Sequence, residues 1–249
     1  MLELETETEK IIKDIETLAF LLNRYGLCND TGPLYDAQMN CQNKSDDSKW
    51  EYDLNNLIFN IPDQSRTIPH EIINITICLS LSLASTYILE SEWSFVTKLT
   101  FDVEITGFDD NLDKCQSSWH LDKHISEEGD GINKYYHPEY HIAFGGDKMR
   151  DSDYDYGAAL ILNSPRIAHP PLEAILGIDW ILRNFFPIEQ IKELVSDLSY
   201  QNLLHRTQKR IWHPYYSSIA NLWSTNPAKE GLLQYYPSNL IPNIIPFER

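Results

Sequence analysis

The stretch 72-IINITICLSLSLASTYIL-89 decides the fold of this chain, because it is long, uncharged and alternating. An uncharged run of this length has to be considered as a membrane span. Its large apolar side chains, however, recur at every second position and are separated by small or polar ones; they are Ile73, Ile75, Ile77, Leu79, Leu81 and Leu83. A period of two is typical of a β-strand with one buried face. The stretch therefore predicts a strand over 72–84 and not a bilayer helix.

Several other segments around this stretch are also rich in alternating apolar and polar residues. The predicted strands are 92–106, 117–125, 139–145 and 157–163, and a short strand is expected near 56–61. Short connections between consecutive strands favour an antiparallel meander.

Helical patterns flank this predicted sheet on both sides. Residues 8–25 carry an apolar stripe and end at Gly26, a typical helix stop. The polar, turn-rich segment 28–50 is predicted to be a loop. After Pro165 the predicted helices are 172–186, 187–199 and about 201–212, the last ending before Pro214. The tail from Tyr215 is expected to wrap the surface.

These elements predict an α+β fold: a mostly antiparallel sheet of about five strands, an N-terminal helix and a C-terminal helical group. A chain of 249 residues can bury one large core. We therefore expect a single domain over 1–249, with a helix and loop region at 1–65, the sheet at 66–165 and the helical part and tail at 166–249.

The charge balance limits the kinds of partner that the chain can bind. It contains 20 Lys and Arg against 37 Asp and Glu, a net charge of −17. Binding to extended duplex DNA or to anionic membranes depends on basic residues, so both are disfavoured.

The N-terminus MLELETETEK lacks the basic and apolar regions of a signal peptide. Four cysteines without CxxC spacing suggest reduced thiols, and we expect a cytoplasmic location.

Half of the eight histidines lie between Trp119 and Gly146, and three titratable residues there share a face. His120, Asp122 and His124 alternate with apolar or aliphatic-stemmed neighbours, so a strand presents all three on one side. If the apolar side of the sheet packs on helices, the opposite side is polar. It would carry Lys98, Thr100, Asp102, His120, Asp122, His124 and His141.

One interpretation of this polar face is a divalent metal site. Imidazole and carboxylate groups are common metal ligands. His120 and His124 would be about 13 Å apart on a straight strand, too far to share one ion. The candidate ligands are therefore His120 or His124, together with Asp122 and His141.

A second interpretation is acid–base catalysis without a cofactor, as in ribonuclease-type cleavage of a phosphodiester. Two imidazoles can act as acid and base near neutral pH. His120 and His141 would have these roles, Asp122 would orient one ring, and Arg166 or Lys148 would stabilise negative charge. His169, in the sequence PRIAHPP, is a further candidate.

Two alternatives involve no catalysis. The histidines can simply be polar residues of a solvated strand face. The chain can also be an acidic adaptor or inhibitory subunit, since its tyrosines and tryptophans are residue types favoured at protein interfaces. Its acidic first part would then contact a basic partner protein.

Two local motifs resemble those of known bacterial proteins. The sequences 137-HPEYHIAFGG-146 and 165-PRIAHPP-171, followed by Trp212-x-Pro214-Tyr215, are similar to an uncharacterised bacterial family with a domain of unknown function. This resemblance implies a bacterial cytosolic protein and no particular activity.

The region of about 140–171 also resembles small bacterial toxins of the TumE type. There, a Tyr-His strand precedes a turn with Arg and His that ends in proline. This resemblance implies a toxin or defence protein with ribonuclease-like action, and it carries over His141, Arg166 and His169.

Overall fold

The computed structural model describes residues 6–62, 67, 71–87, 94–123, 140–145, 147–150 and 167–221. Within them the fold is α+β, as predicted, with one antiparallel sheet of six strands. The strands are β1 (Lys49–Asn60), β2 (Ile73–Tyr87), β3 (Ser94–Phe108), β4 (Lys114–Lys123), β5 (Tyr140–Phe144) and β6 (Ile167–Ala168). The helices are α1 (Glu7–Arg24), α2 (Gly32–Lys44), α3 (Asp147–Arg150), α4 (Ala174–Phe185), α5 (Ile188–Ser196) and α6 (Leu198–Asn221).

The sheet is a meander in which each strand pairs with the next along the chain. The predicted strand at 72–84 is confirmed as part of β2, the central element of the longest pairings. Its apolar residues, together with those of β1 and β3, form a buried face against the helices. The predicted strand 157–163 lies outside the described residues. Among the residues that are described, no helix combines the length and apolar character needed to cross a bilayer.

The prediction of a loop over 28–50 is wrong, because residues 32–44 form α2. The turn-prone residues stand at its two ends, and Pro33 occupies the first helical turn, where proline is tolerated. Between them, Leu34, Ala37 and Cys41 form a short buried stripe at helical spacing. The stripe contains only these three residues, and the polar composition of the segment around it favours a loop in a sequence-based prediction.

Strand β1 begins seven residues earlier than the predicted strand 56–61, and a β-bulge explains the difference. The buried residues Trp50, Tyr52 and Leu54 occupy even positions, whereas those after the bulge occupy odd ones. Asn56, in the bulge, has a φ of 55°, a conformation that asparagine tolerates. The buried positions therefore change from even to odd numbers within one strand. A search for a single period of two finds only the second half of such a strand.

Helix α6 does not end before Pro214 but continues to Asn221. A proline inside a helix removes one backbone hydrogen bond and strains the turn before it. Burial offsets this cost, since Ile211, Tyr215 and Ile219 lie four residues apart and are all buried. The prediction of a surface tail from Tyr215 is therefore wrong for 215–221, which are helical, and the rest of that prediction lies outside the described residues.

Helix α2 also covers the outer edge of the sheet. Asn40 accepts a hydrogen bond from the backbone N–H of Asp53, and Ser45 accepts one from that of Glu51. Edge strands with unsatisfied backbone groups invite pairing with other chains, and such side-chain caps remove that liability.

Candidate active site

The candidate site is built by the strand register on the side of the sheet opposite the helices. Asp102 of β3 pairs directly with His120 of β4, and Asp122 pairs with His141 of β5. The alternate residues Phe101, Leu121 and Ile142 point to the buried side. The parity predicted for 117–125 and 139–145 therefore places the polar residues on a common face.

Four of these side chains form a continuous series of contacts, which we call the Asp–His ladder: Asp102, His120, Asp122 and His141. His120 Nδ1 lies 2.8 Å from Asp102 Oδ1, and its Nε2 lies 3.0 Å from Asp122 Oδ2. His141 Nδ1 lies 3.1 Å from the other oxygen of Asp122, Oδ1. The centroids of the two imidazole rings are 6.4 Å apart. Asp122 thus links the two histidines, with one oxygen toward each.

The ladder runs from the surface into the protein. The exposed fraction of the side chain is 35% for Asp102, 31% for His120 and 27% for Asp122, but only 3% for His141. His141 is therefore the buried end of the ladder, and the other three side chains are partly exposed.

The two carboxylates keep His120 positively charged. Hydrogen bonding to Asp102, and then to Asp122, raises the pKa of His120 to about 10, against the opposing effect of burial. At neutral pH this ring is an imidazolium with both N–H groups directed at carboxylates.

Two lysine side chains act electrostatically on other groups of this polar face. Burial and the Glu104 carboxylate raise the pKa of the Cys78 thiol, and the ammonium group of Lys148 opposes this effect. Since Cys78 and Glu104 pair across β2 and β3, Lys148 on α3 lies near this part of the polar face. Farther along the same face, the ammonium group of Lys98 is one of the charges that lower the pKa of Asp53.

The structure does not bring His169 to the ladder. Ala168 pairs with His141 and shares its face, so the next residue, His169, follows the alternation to the other side. His169 Nδ1 instead lies 2.7 Å from the carbonyl oxygen of Pro170. Burial lowers the pKa of His169, which favours a neutral ring that donates to this carbonyl.

Other predicted site residues cannot be placed, and the metal interpretation gains no support. Arg166 and His124 lie outside the described residues. Within the described part of the chain, no group of three or more His, Cys, Asp or Glu is arranged to hold a metal ion. The ladder shows why its own members do not qualify, since both nitrogens of His120 face carboxylates instead of converging with them on a common point.

Asp102 is the member of the ladder that the sequence analysis did not single out as a candidate. The alternation placed it on the polar face, but it is 18 residues away from His120 along the chain. Its contact with His120 depends on the register of the β3–β4 hairpin, which the residue pattern alone does not specify.

Searches with this chain against protein-family models, curated proteins and solved structures find no match.

Proposed function

We propose that this protein cleaves a phosphodiester, with RNA as the first substrate to test, by acid–base catalysis at the Asp–His ladder. The observation that carries the proposal is the contact of His141 Nδ1 with Asp122, 3.1 Å away. A carboxylate at one ring nitrogen favours the tautomer with a proton on that nitrogen, so the lone pair that can act as a base lies on the other nitrogen, Nε2.

In this proposal His141 Nε2 removes the proton from the 2′-hydroxyl of the substrate. The 2′-oxygen then attacks phosphorus, a new O–P bond forms, and the bond from phosphorus to the 5′-oxygen breaks. The leaving 5′-oxygen takes up a proton from water, His141 returns its proton to the solvent, and the products are a cyclic phosphodiester and a free hydroxyl. Asp122 stabilises the imidazolium that forms on His141.

The role of His120 in this proposal differs from the one expected from the sequence. Both of its nitrogens contact carboxylates, at 2.8 and 3.0 Å, so its N–H groups are already engaged. A ring whose pKa is about 10 also releases a proton reluctantly at neutral pH. We therefore assign proton transfer to His141 and not to His120.

An anionic substrate needs positive charge beside this acidic ladder. Lys148 is the described cation that best fits this need, because it is exposed and lies over the same side of the sheet. Arg166 remains the second candidate from the sequence. Either cation would stabilise the additional negative charge that phosphorus oxygens acquire during attack.

The first test is cleavage of a short fluorescent RNA by the purified protein and by His141→Asn. Removing a general base costs about a hundredfold or more in rate, so we expect the variant to lose at least that much. His205→Asn, which changes an exposed histidine on α6, is the matched control and should retain wild-type activity. An equally active His141→Asn protein with native circular dichroism would refute the proposal, and so would wild-type protein without any cleavage.

Binding of a basic protein partner is a second candidate function, favoured by the tip of the β3–β4 hairpin. Leu112 is 70% exposed there and has a φ of 65°, a conformation that costs a leucine about 1 kcal/mol. Asp109, Asp110 and Asp113 surround it in sequence, and Phe108 is also exposed. Within the described residues nothing repays this cost by burying Leu112, whereas an apolar pocket with a basic rim would.

A capture experiment from a bacterial extract distinguishes this second candidate. Immobilised wild-type protein is compared with Leu112→Ser and with Leu198→Ser, which removes another highly exposed leucine that also lies next to an aspartate. We expect a basic protein to be retained by the wild type and by Leu198→Ser but lost from Leu112→Ser. Identical retained sets from all three proteins would exclude the hairpin tip as a docking site.

A further inference from the structure

We propose that Asp102 and His120 form a positioning pair, which holds Asp122 in the orientation that lets its second oxygen contact Nδ1 of His141. The catalytic meaning of this pair rests on the proposed function, but its structural effect does not. Neither residue would touch the substrate. Their effect on the reaction would pass through Asp122.

The first step of the argument is geometric. The two nitrogens of an imidazole point to opposite sides of the ring, so His120 can bind one carboxylate at each. Asp102 fixes one side of the ring at 2.8 Å, and the other side then meets Asp122 at 3.0 Å. Since Asp102 pairs directly with His120 across two strands, the backbone register sets this arrangement.

The second step concerns the freedom of Asp122. Its side chain is 27% exposed and has solvent as an alternative partner. The contacts at both oxygens, to His120 and to His141, restrict its two side-chain torsions together. Removing His120 would therefore remove one of these two contacts and loosen the orientation of the Asp122 carboxylate.

The third step is electrostatic. Asp102 and Asp122 stand on either side of one positively charged ring. If that charge is removed, the two carboxylates repel each other across a partly buried space. Asp122 can relieve this repulsion by rotating toward solvent, and His141 would then lose the carboxylate at Nδ1.

This inference predicts a change in the tautomer of His141 that nitrogen-15 NMR of the imidazole rings can detect at neutral pH. In the wild type we expect both nitrogens of His120 to be protonated and His141 to carry its proton on Nδ1. In His120→Gln we expect His141 to become a mixture of both tautomers. Asp102→Asn should change the tautomer populations of His141 in the same direction but to a smaller extent, because His120 can still bind Asp122.

The matched control is Glu104→Gln, which neutralises the next acid on the same face of β3. Glu104 pairs with Ser118 and contacts Lys114, outside the ladder. It should leave the His141 spectrum unchanged. If His120→Gln fails to fold, Asp102→Asn carries the test alone. A His141 tautomer that does not respond in the folded variants would overturn the positioning role.

Activity assays on the same proteins separate this inference from the proposed function. If the tautomer responds and RNA is cleaved, kcat should fall about tenfold in His120→Gln with little change in KM, since no substrate contact is lost. If the tautomer responds but no variant and no wild-type protein cleaves RNA, the positioning pair stands and the phosphodiester proposal fails.

Discussion

Replacing Arg210 by methionine is expected to lower the free energy of unfolding by about 3–5 kcal/mol, because the change removes the buried counter-charge that Asp14 shares with Glu7. Arg210 lies on α6, and its side chain is only 6% exposed. Its Nε donates to Glu7 Oε1 at 2.7 Å, and its Nη2 donates to Asp14 Oδ2 at 2.6 Å. The side chain of Asp14 is 3% exposed, so water cannot replace the lost donor.

A third acid adds to this expected loss. Glu173 is enclosed at the start of α4, where it accepts hydrogen bonds from the backbone of Ile175 and Leu176 and from the hydroxyl of Tyr52. Burial raises the pKa of Glu173, and Arg210 acts against this increase. Without Arg210, the ionised form of Glu173 becomes more costly to keep inside the protein.

Chemical denaturation of the wild type and of two arginine variants measures the effect. Arg206→Met is the matched control, because Arg206 donates to the same Asp14 but its side chain is 49% exposed. We expect the control to lose about 1 kcal/mol, as is usual for a partly exposed pair. Equal losses in both variants would show that the burial of Arg210 does not set the size of the effect.

The strands could be predicted from the sequence more completely than the contacts between them. The alternation in 72–84 depends only on which face of a strand is buried, and this is local information. The contact between Arg210 and Asp14 joins residues 196 positions apart, and no local sequence pattern predicts it. The same limit hid the role of Asp102, whose partner is set by the register of a hairpin.

The structure brings three of the predicted site residues together on one face of the sheet and leaves His169 apart from them. His120, Asp122 and His141 come together because each occupies the polar parity of its strand. His169 has no such constraint from the sequence, and its position directly after β6 places it on the opposite side from His141. Proximity along the PRIAHPP turn therefore did not translate into proximity in the site.

Raising the pH from 7 to about 10.5 is expected to destabilise the protein by about 2–3 kcal/mol through His120 alone. Its pKa is about 10 in the folded protein, against an ordinary value of 6.5. The folded state therefore holds this proton more tightly than the unfolded state. The corresponding stability is fully present below pH 6.5, falls as the pH rises, and is lost once the pH passes about 10. The complete difference would correspond to about 5 kcal/mol, and solvent screening of the partly exposed ring reduces it by about half.

Urea denaturation at several pH values, on the wild type and on His120→Gln, isolates this contribution. Lysines and tyrosines also titrate in this range, but they are the same in both proteins, so the difference between the two curves belongs to the ladder. The wild type should lose about 2–3 kcal/mol more than the variant between the two ends of the range. His205→Gln, at an exposed site, should follow the wild type. Parallel curves for the wild type and His120→Gln would mean that the two carboxylates do not hold the His120 proton, because a ring that titrates normally is already neutral throughout this range.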